Sequence, residues 1–298
     1  MNPTLLPLLA CPRCRHDLAP DGEGLRCGGC AAAFPVTGGI PRLADNAPRR
    51  DPRIAAEFEA QHHALPLYVD AGSVVNRVEV LLLPRVLDLL ADAAGPVLDL
   101  GCGVGHLGRA WAARDRSGRD LVGVDLMGVL LAQARSGYAA LVEGDGHRLP
   151  FGDATFGAVT LTNTLHHLAE PEQTLAEVAR VVRPGGVVVS YDPRELAPLE
   201  WIKKVVRRHD HAFGDHHRAF SPADYRALYA RSGLALERLQ AVDPLGPLVA
   251  TALDLVSAGK LGITDLAARA LVAVDAVITL GERVPGLGLM LVARARRS

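Results

Sequence analysis

Short apolar runs recur through the middle of the chain, and most stop at a polar or acidic residue. Val97 to Leu100, Leu121 to Asp125, Ala139 to Glu143, Ala158 to Leu161 and Val187 to Pro193 are such runs. They are nearly continuous rather than alternating, as strands covered on both faces of a parallel sheet are. Helical spacing fills the intervals. Leu107, Ala110 and Trp111 follow the first run, and Glu172 to Val182 lies between Pro171 and the turn Pro184-Gly185-Gly186. Ahead of the first run, Ile54 to His63 and Val74 to Ala93 read as helices. The second puts Val78, Leu82, Val86 and Leu89 on one face, with Pro84 interrupting it. Near the end, Ser221 caps a helix over Ala223 to Ser232, with Pro222 at its first position. Strands follow at Leu234 to Ala241 and Leu287 to Ala293. The pattern predicts an α/β fold, a doubly wound sheet of seven strands.

The first 45 residues follow a different rule. Cys11-Pro-Arg-Cys14 and Cys27-Gly-Gly-Cys30 are two CxxC pairs separated by twelve residues. Thiolates from Cys11, Cys14, Cys27 and Cys30 at that spacing can close a tetrahedral structural Zn2+ site, with no open position for catalysis. So short a segment cannot fold on apolar burial alone, so metal would supply much of its folding free energy. Ala44 to Arg53 reads as a linker, which divides the chain into residues 1–45 and 46–298.

Composition narrows the partners. The 298 residues carry a net charge of -1 and only 4% aromatics, which argues against a nucleic-acid partner. The apolar run in Met1 to Ala10 is too short for a signal segment and has no basic residue before it, so a cytoplasmic protein is expected.

The chemistry gathers where the apolar runs end. Gly101, Gly103, Gly105 and Gly108 follow the first run, where glycine lets the backbone turn sharply and approach a ligand. Gly103-x-Gly105-x-x-Gly108 also fits a dinucleotide fingerprint, with Asp125 as the ribose acid. Asp99 opposes that reading, because a carboxylate before the loop repels a pyrophosphate and suits a cationic ligand. Asp125 and Gly144-Asp145-Gly146 repeat the arrangement at the second and third run ends. Cys102, inside the loop, reads as a small buried side chain rather than a reactive thiol.

Asp99-x-Gly101-x-Gly103-x-Gly105 resembles the first motif of class I S-adenosylmethionine (SAM) methyltransferases. Leu165-His166-His167-Leu168 and Arg183-Pro-Gly-Gly resemble the UbiE and Methyltransf_11 group. The resemblance spans roughly residues 77 to 240 and implies a Rossmann-like methyltransferase sheet with SAM as cofactor. It assigns cofactor contacts to Asp99, Gly101, Cys102, Gly103, Gly105, Asp125, Leu126, Asp145, Gly146 and Asn163. The residues around the cysteines, Leu5-Leu6-x-Leu8-Leu9 and Phe34-Pro35-Val36-x-x-Gly39-Ile40-Pro41, resemble the Trm112-like zinc ribbon. That family supports methyltransferases as separate subunits, and here the ribbon would be fused to its client.

Methyl transfer chiefly requires alignment and exclusion of water, and a base only if the acceptor atom must lose a proton. His166 or His167, after the fourth run, could be that base, with packing in the cofactor wall as the alternative. Tyr191 and Asp192 are second candidates. The cluster His209-Asp-His211 and Asp215-His216-His217 is too irregular for a preformed metal site and reads as a solvated or acceptor-facing loop. The minimal fold has only a hairpin where Pro244 to Gly286 stand, so a helical insert of about 244–286 is expected, with helices at Leu248 to Ser257 and Thr264 to Arg283. Its charges, Asp254, Lys260, Asp265, Arg269 and Asp275, exclude a transmembrane span. Its apolar face could cover the acceptor, touch a lipid surface, bind a partner, pair a homodimer or simply pack. The function expected is methylation of a small or lipophilic metabolite. The alternatives are an rRNA or tRNA methyltransferase whose ribbon helps bind RNA, and a non-catalytic SAM-binding scaffold.

Overall fold

The cysteine-rich segment forms a four-stranded antiparallel sheet, Leu18–Asp21 (β1), Gly24–Cys27 (β2), Ala33–Thr37 (β3) and Ile40–Pro41 (β4), in the order β1-β2-β3-β4. The computed structural model describes residues 2–44, 73–114, 117–195, 219–243, 249–250, 264–280 and 288–298. The linker after Ala44, the helix expected at 54–63, the histidine cluster at 209–217 and most of the 248–257 helix lie outside the described residues.

The larger sheet has seven strands among the described residues. They are Val97–Leu100 (β5), Leu121–Asp125 (β6), Ala140–Glu143 (β7), Phe156–Thr162 (β8), Val182–Pro193 (β9), Leu234–Val242 (β10) and Met290–Arg297 (β11). Their spatial order is β10-β11-β9-β8-β5-β6-β7. β5 to β9 run parallel, and β10 and β11 join antiparallel at one edge. The strand order reverses beside β5, so the carboxyl ends of β5, β6 and β8 border the crevice where this class of sheet takes ligands. β5 and β6 are buried at every position, as their unbroken apolar pattern requires.

Helices cover both faces: Val74–Leu82 (α1), Pro84–Asp88 (α2), His106–Arg114 (α3), Gly128–Leu131 (α4), Pro171–Val181 (α5), Pro222–Arg231 (α6) and Thr264–Leu280 (α7). The helix expected over 74–93 is two helices, because Pro84 has no N–H to continue the first and suits the first turn of the second. Ser221 caps α6 through a reciprocal capping box with Asp224. The Arg183-Pro-Gly-Gly turn lies inside β9. Phe156 pairs with Val182 and Ala158 with Val187, so the extra residues bulge while Gly185 takes a φ of 75°. The insert contributes α7, which packs on α1 through Ala268 against a cluster holding Val74, Val78 and Leu82. No helix among the described residues is long and apolar enough to cross a membrane.

The ribbon lies against the β7 edge. Leu9 bridges Phe151 antiparallel and Arg42 bridges Glu143 in parallel, while the Leu43 amide donates to the Glu143 carbonyl at 2.7 Å. Leu5, Leu9, Leu25, Phe34 and Leu43 belong to the same buried cluster as Leu98, Val124 and Val142. The ribbon thus covers a strand edge that would otherwise offer unpaired backbone groups.

Candidate cofactor cleft and metal centre

The four ribbon sulfurs lie within 4.8 Å of one another. Cys11 and Cys30 Sγ are 3.7 Å apart, and Cys14 and Cys27 Sγ 3.3 Å apart, with all four thiols free of disulfides. Tetrahedral zinc with Zn–S bonds near 2.3 Å sets sulfurs about 3.8 Å apart, so the donor set fits that ion. Backbone amides of Gly29 and Cys30 donate to Cys27 Sγ at 3.3 and 3.4 Å, and the Arg13 amide donates to Cys11 Sγ at 3.4 Å. Burial works against the Cys27 thiolate, but those amides and the neighbouring thiols hold it down at about 6. Burial pushes the Cys11 thiol up to about 12.

At the other site, glycine shapes the floor. Gly101 has a φ of 75°, and a side-chain carbon there would strike Thr164 Oγ1 at 2.5 Å. Gly103 has a φ of 50°, yet a carbon built on it meets nothing within 4 Å. Close packing explains Gly101. Gly103 leaves open space above a bare backbone, a cradle that a ligand can enter.

Three carboxylates surround this floor. Asp99 is 1% exposed, and both its oxygens are engaged: Tyr138 Oη donates at 2.6 Å and Thr160 Oγ1 at 3.0 Å. Burial raises its carboxyl to about 6 against those two hydrogen bonds, and the charge of Asp125 adds to the rise. Asp125 accepts from the amides of Gly103 and Met127, each at 2.8 Å. Burial raises it to about 6 as well, offset by the two amides. Asp145 caps a short 3-10 turn and takes both the amide (2.9 Å) and Nδ1 (2.8 Å) of His147. His147 Nε2 accepts from the Glu170 amide at 3.3 Å, which leaves the ring proton on Nδ1. Both Asp99 oxygens are therefore taken by protein donors, while Asp125 and Asp145 each hold the backbone amide two residues further on.

Among the remaining cofactor candidates, Asn163 follows β8 in a left-handed conformation (φ 52°) and donates through Nδ2 to Glu79 Oε1 at 2.9 Å. The other Glu79 oxygen lies 3.3 Å from His106 Nδ1. Glu79, on α1, thus ties that helix to both β8 and the start of α3, although the spacing of α1 indicated packing alone. Cys102 is buried, with its thiol raised well above the usual range by burial. Gly146 is buried beside Leu100, and Leu126 adjoins Asp125 at the end of β6.

The candidate bases separate. His166 Nδ1 lies 2.9 Å from Asp192 Oδ1, and the His166 ring packs on His167 with centroids 3.9 Å apart. Tyr191 points to the other face of β9, where its hydroxyl donates to Asp243 at 2.8 Å and Arg85 pairs with the same carboxylate. Burial, then the Asp243 charge, drive the Tyr191 phenol well above its ordinary value. The structure joins His166, His167 and Asp192 and leaves Tyr191 with another partner. Tyr138 and Thr160, which donate to Asp99, Tyr225, which donates to Asp192, and Asp243, the partner of Tyr191, carry no local motif; only the tertiary fold makes these pairs.

Comparison with known proteins addresses the same two regions. Residues 98–190 match the methyltransferase domain model, and residues 2–39 match the Trm112p-like protein model. Residues 98–190 are a methyltransferase domain. The chain is 34% identical over 154 residues to a demethylmenaquinone methyltransferase from Parafrankia sp., covering 44% of this chain and 56% of the relative. It is 38% identical over 119 residues to a fatty-acid O-methyltransferase from Mycolicibacterium smegmatis, covering 37% and 42%. The chain thus spans about half the length of these curated relatives. A SAM-dependent methyltransferase structure from Thermotoga maritima superposes with a TM-score of 0.52 at 17% identity, covering 75% of this chain and 92% of that one, which shows the fold.

Proposed function

We propose that the chain transfers a methyl group from SAM to a small or lipophilic acceptor in the cytoplasm, with a structural zinc ion in the ribbon. The reading is carried by Asp99, Asp125 and Asp145 at successive strand ends around the open backbone of Gly103. Asp99 and Asp125, whose carboxyls burial raises, gain from a cationic ligand and lose from a phosphorylated one. When bound, SAM supplies a methyl group already activated by its sulfonium. Asp125 would hold the ribose hydroxyls and Asp145 with Gly146 the adenine. Gly101, Cys102, Gly103, Gly105, Leu126 and Asn163 would line the remainder. The protein's own task is alignment and exclusion of water. The relatives named for demethylmenaquinone and fatty-acid methylation support an apolar acceptor, and the net charge of -1 argues against a polyphosphate one.

The test has two steps. Calorimetry compares S-adenosylhomocysteine with NADH, and methyl-labelled SAM is then incubated with a lipid extract of the producing cell. Binding of S-adenosylhomocysteine alone, followed by label in an organic-soluble product, is expected. Binding of NADH alone, or no label, would reject the proposal.

A further inference from the structure

We propose that Glu79 is a specificity-determining residue whose carboxylate reads the positive charge on the methionine half of the cofactor. The inference rests on reading the cleft as a SAM site. Glu79 lies on α1, away from the glycine loop and the strand-end acids in sequence. Its Oε1 accepts from Asn163 Nδ2 at 2.9 Å, and its Oε2 lies 3.3 Å from His106 Nδ1. Asn163 follows β8, and His106 follows Gly105 at the start of α3. β5 and β8 are neighbours in the sheet, at the point where the strand order reverses. The two contacts therefore set the carboxylate across the gap between those strand ends. Its side chain keeps 31% exposure there.

The sheet order gives that position its meaning. Adenine at Asp145 and ribose at Asp125 lay the nucleoside over the ends of β7 and β6. β5 and then β8 come next, each about 4.8 Å further on. The rest of the ligand, which holds the sulfonium and the ammonium, then runs toward Glu79. The glycine loop joins the two carboxylates. Its Gly103 amide donates to Asp125, and His106, three residues on and so within about 11 Å, faces Glu79. A purely structural tie between α1 and the sheet needs only a neutral acceptor, which a glutamine would provide. Glu79 brings a charge instead, and among the described residues no Lys or Arg pairs with it. Arg77 pairs with Asp265, and Arg109 donates to the Val104 carbonyl. An anion at a cleft with no Lys or Arg of its own gains from a ligand that carries the cation.

Calorimetry at about pH 7.5, above the usual imidazole range, compares SAM with methylthioadenosine. The second ligand keeps the nucleoside and the sulfur but has neither the sulfonium nor the amino acid. Glu79→Gln keeps an acceptor for Asn163 and removes the charge. It is expected to weaken SAM about tenfold and to leave methylthioadenosine unchanged. Glu79→Asp, shorter but still charged, should lose less than Glu79→Gln. Equal losses for both ligands would mean that Glu79 only holds α1 in place, and that overturns the inference. Wild-type SAM affinity in Glu79→Gln overturns it too. If Glu79→Gln does not fold, Glu79→Ala replaces it, with the same contrast expected. A wild type that binds neither ligand removes the SAM reading itself.

Discussion

The ribbon and the cleft each gather groups that repel one another when ionised, and they resolve the repulsion in opposite ways. In the ribbon, four sulfurs lie within 4.8 Å, with little apolar mass of the ribbon's own to hold them there. A metal ion closes such a set completely and returns the interaction energy as folding. In the cleft, Asp99 and Asp125 are held by a rigid sheet that folds in spite of them, and each is raised to about 6 by burial. The ribbon's charges serve folding. The cleft's charges oppose folding and favour a cationic ligand.

The largest expected effect comes from breaking the ribbon's solution. Cys27→Ser should lose the metal, measured as zinc per chain. It should forfeit on the order of 10 kcal/mol of metal-linked folding free energy in the ribbon. Because Leu9, Phe34 and Leu43 share a core cluster with Leu98 and Val142, the melting temperature of the whole chain should fall as well. Wild-type zinc content in this variant would remove the four-cysteine site.

Asp125→Ala should act on the other side of the comparison. It removes the acceptor of the Gly103 and Met127 amides, and calorimetry should find S-adenosylhomocysteine bound about a hundredfold more weakly. Zinc content should stay at the wild-type level, since the site is independent of the sulfurs.

The smallest effect is set by pH. Asp99 and Asp125 have folded values near 6, above the ordinary 3.8. Their contribution to apo stability is therefore fully present below about 4 and lost as pH rises through about 6, because the folded state keeps protons that the unfolded state has released. A cationic ligand prefers the ionised pair, so SAM should bind roughly tenfold more tightly at pH 7 than at pH 5. Isothermal titration at the two pH values measures this, and an affinity that falls with rising pH would contradict the electrostatic account of the cleft.

The cysteine spacing, the apolar runs and the acids at their ends were legible without coordinates, because each depends on residues close together in the chain. Strand existence followed from continuous burial, and the α6 start from Ser221 and Pro222. The break at Pro84 was legible as an interruption, but not as a division into two helices. The bulge in β9 was not legible, since Pro184-Gly185-Gly186 has the composition of a turn and only its pairing with β8 makes it strand.

Local sequence thus determined which residue types stand at each strand end and how the ribbon presents its sulfurs. Tertiary structure decided what those residues do. Asp99 is 39 positions from Tyr138, His166 26 from Asp192, and Tyr191 52 from Asp243. Hydrogen bonds across such separations depend on strand order and on which face of β9 a side chain takes. Alternation along that strand sends Asp192 toward His166 and Tyr191 away from it, although the two are neighbours in the chain.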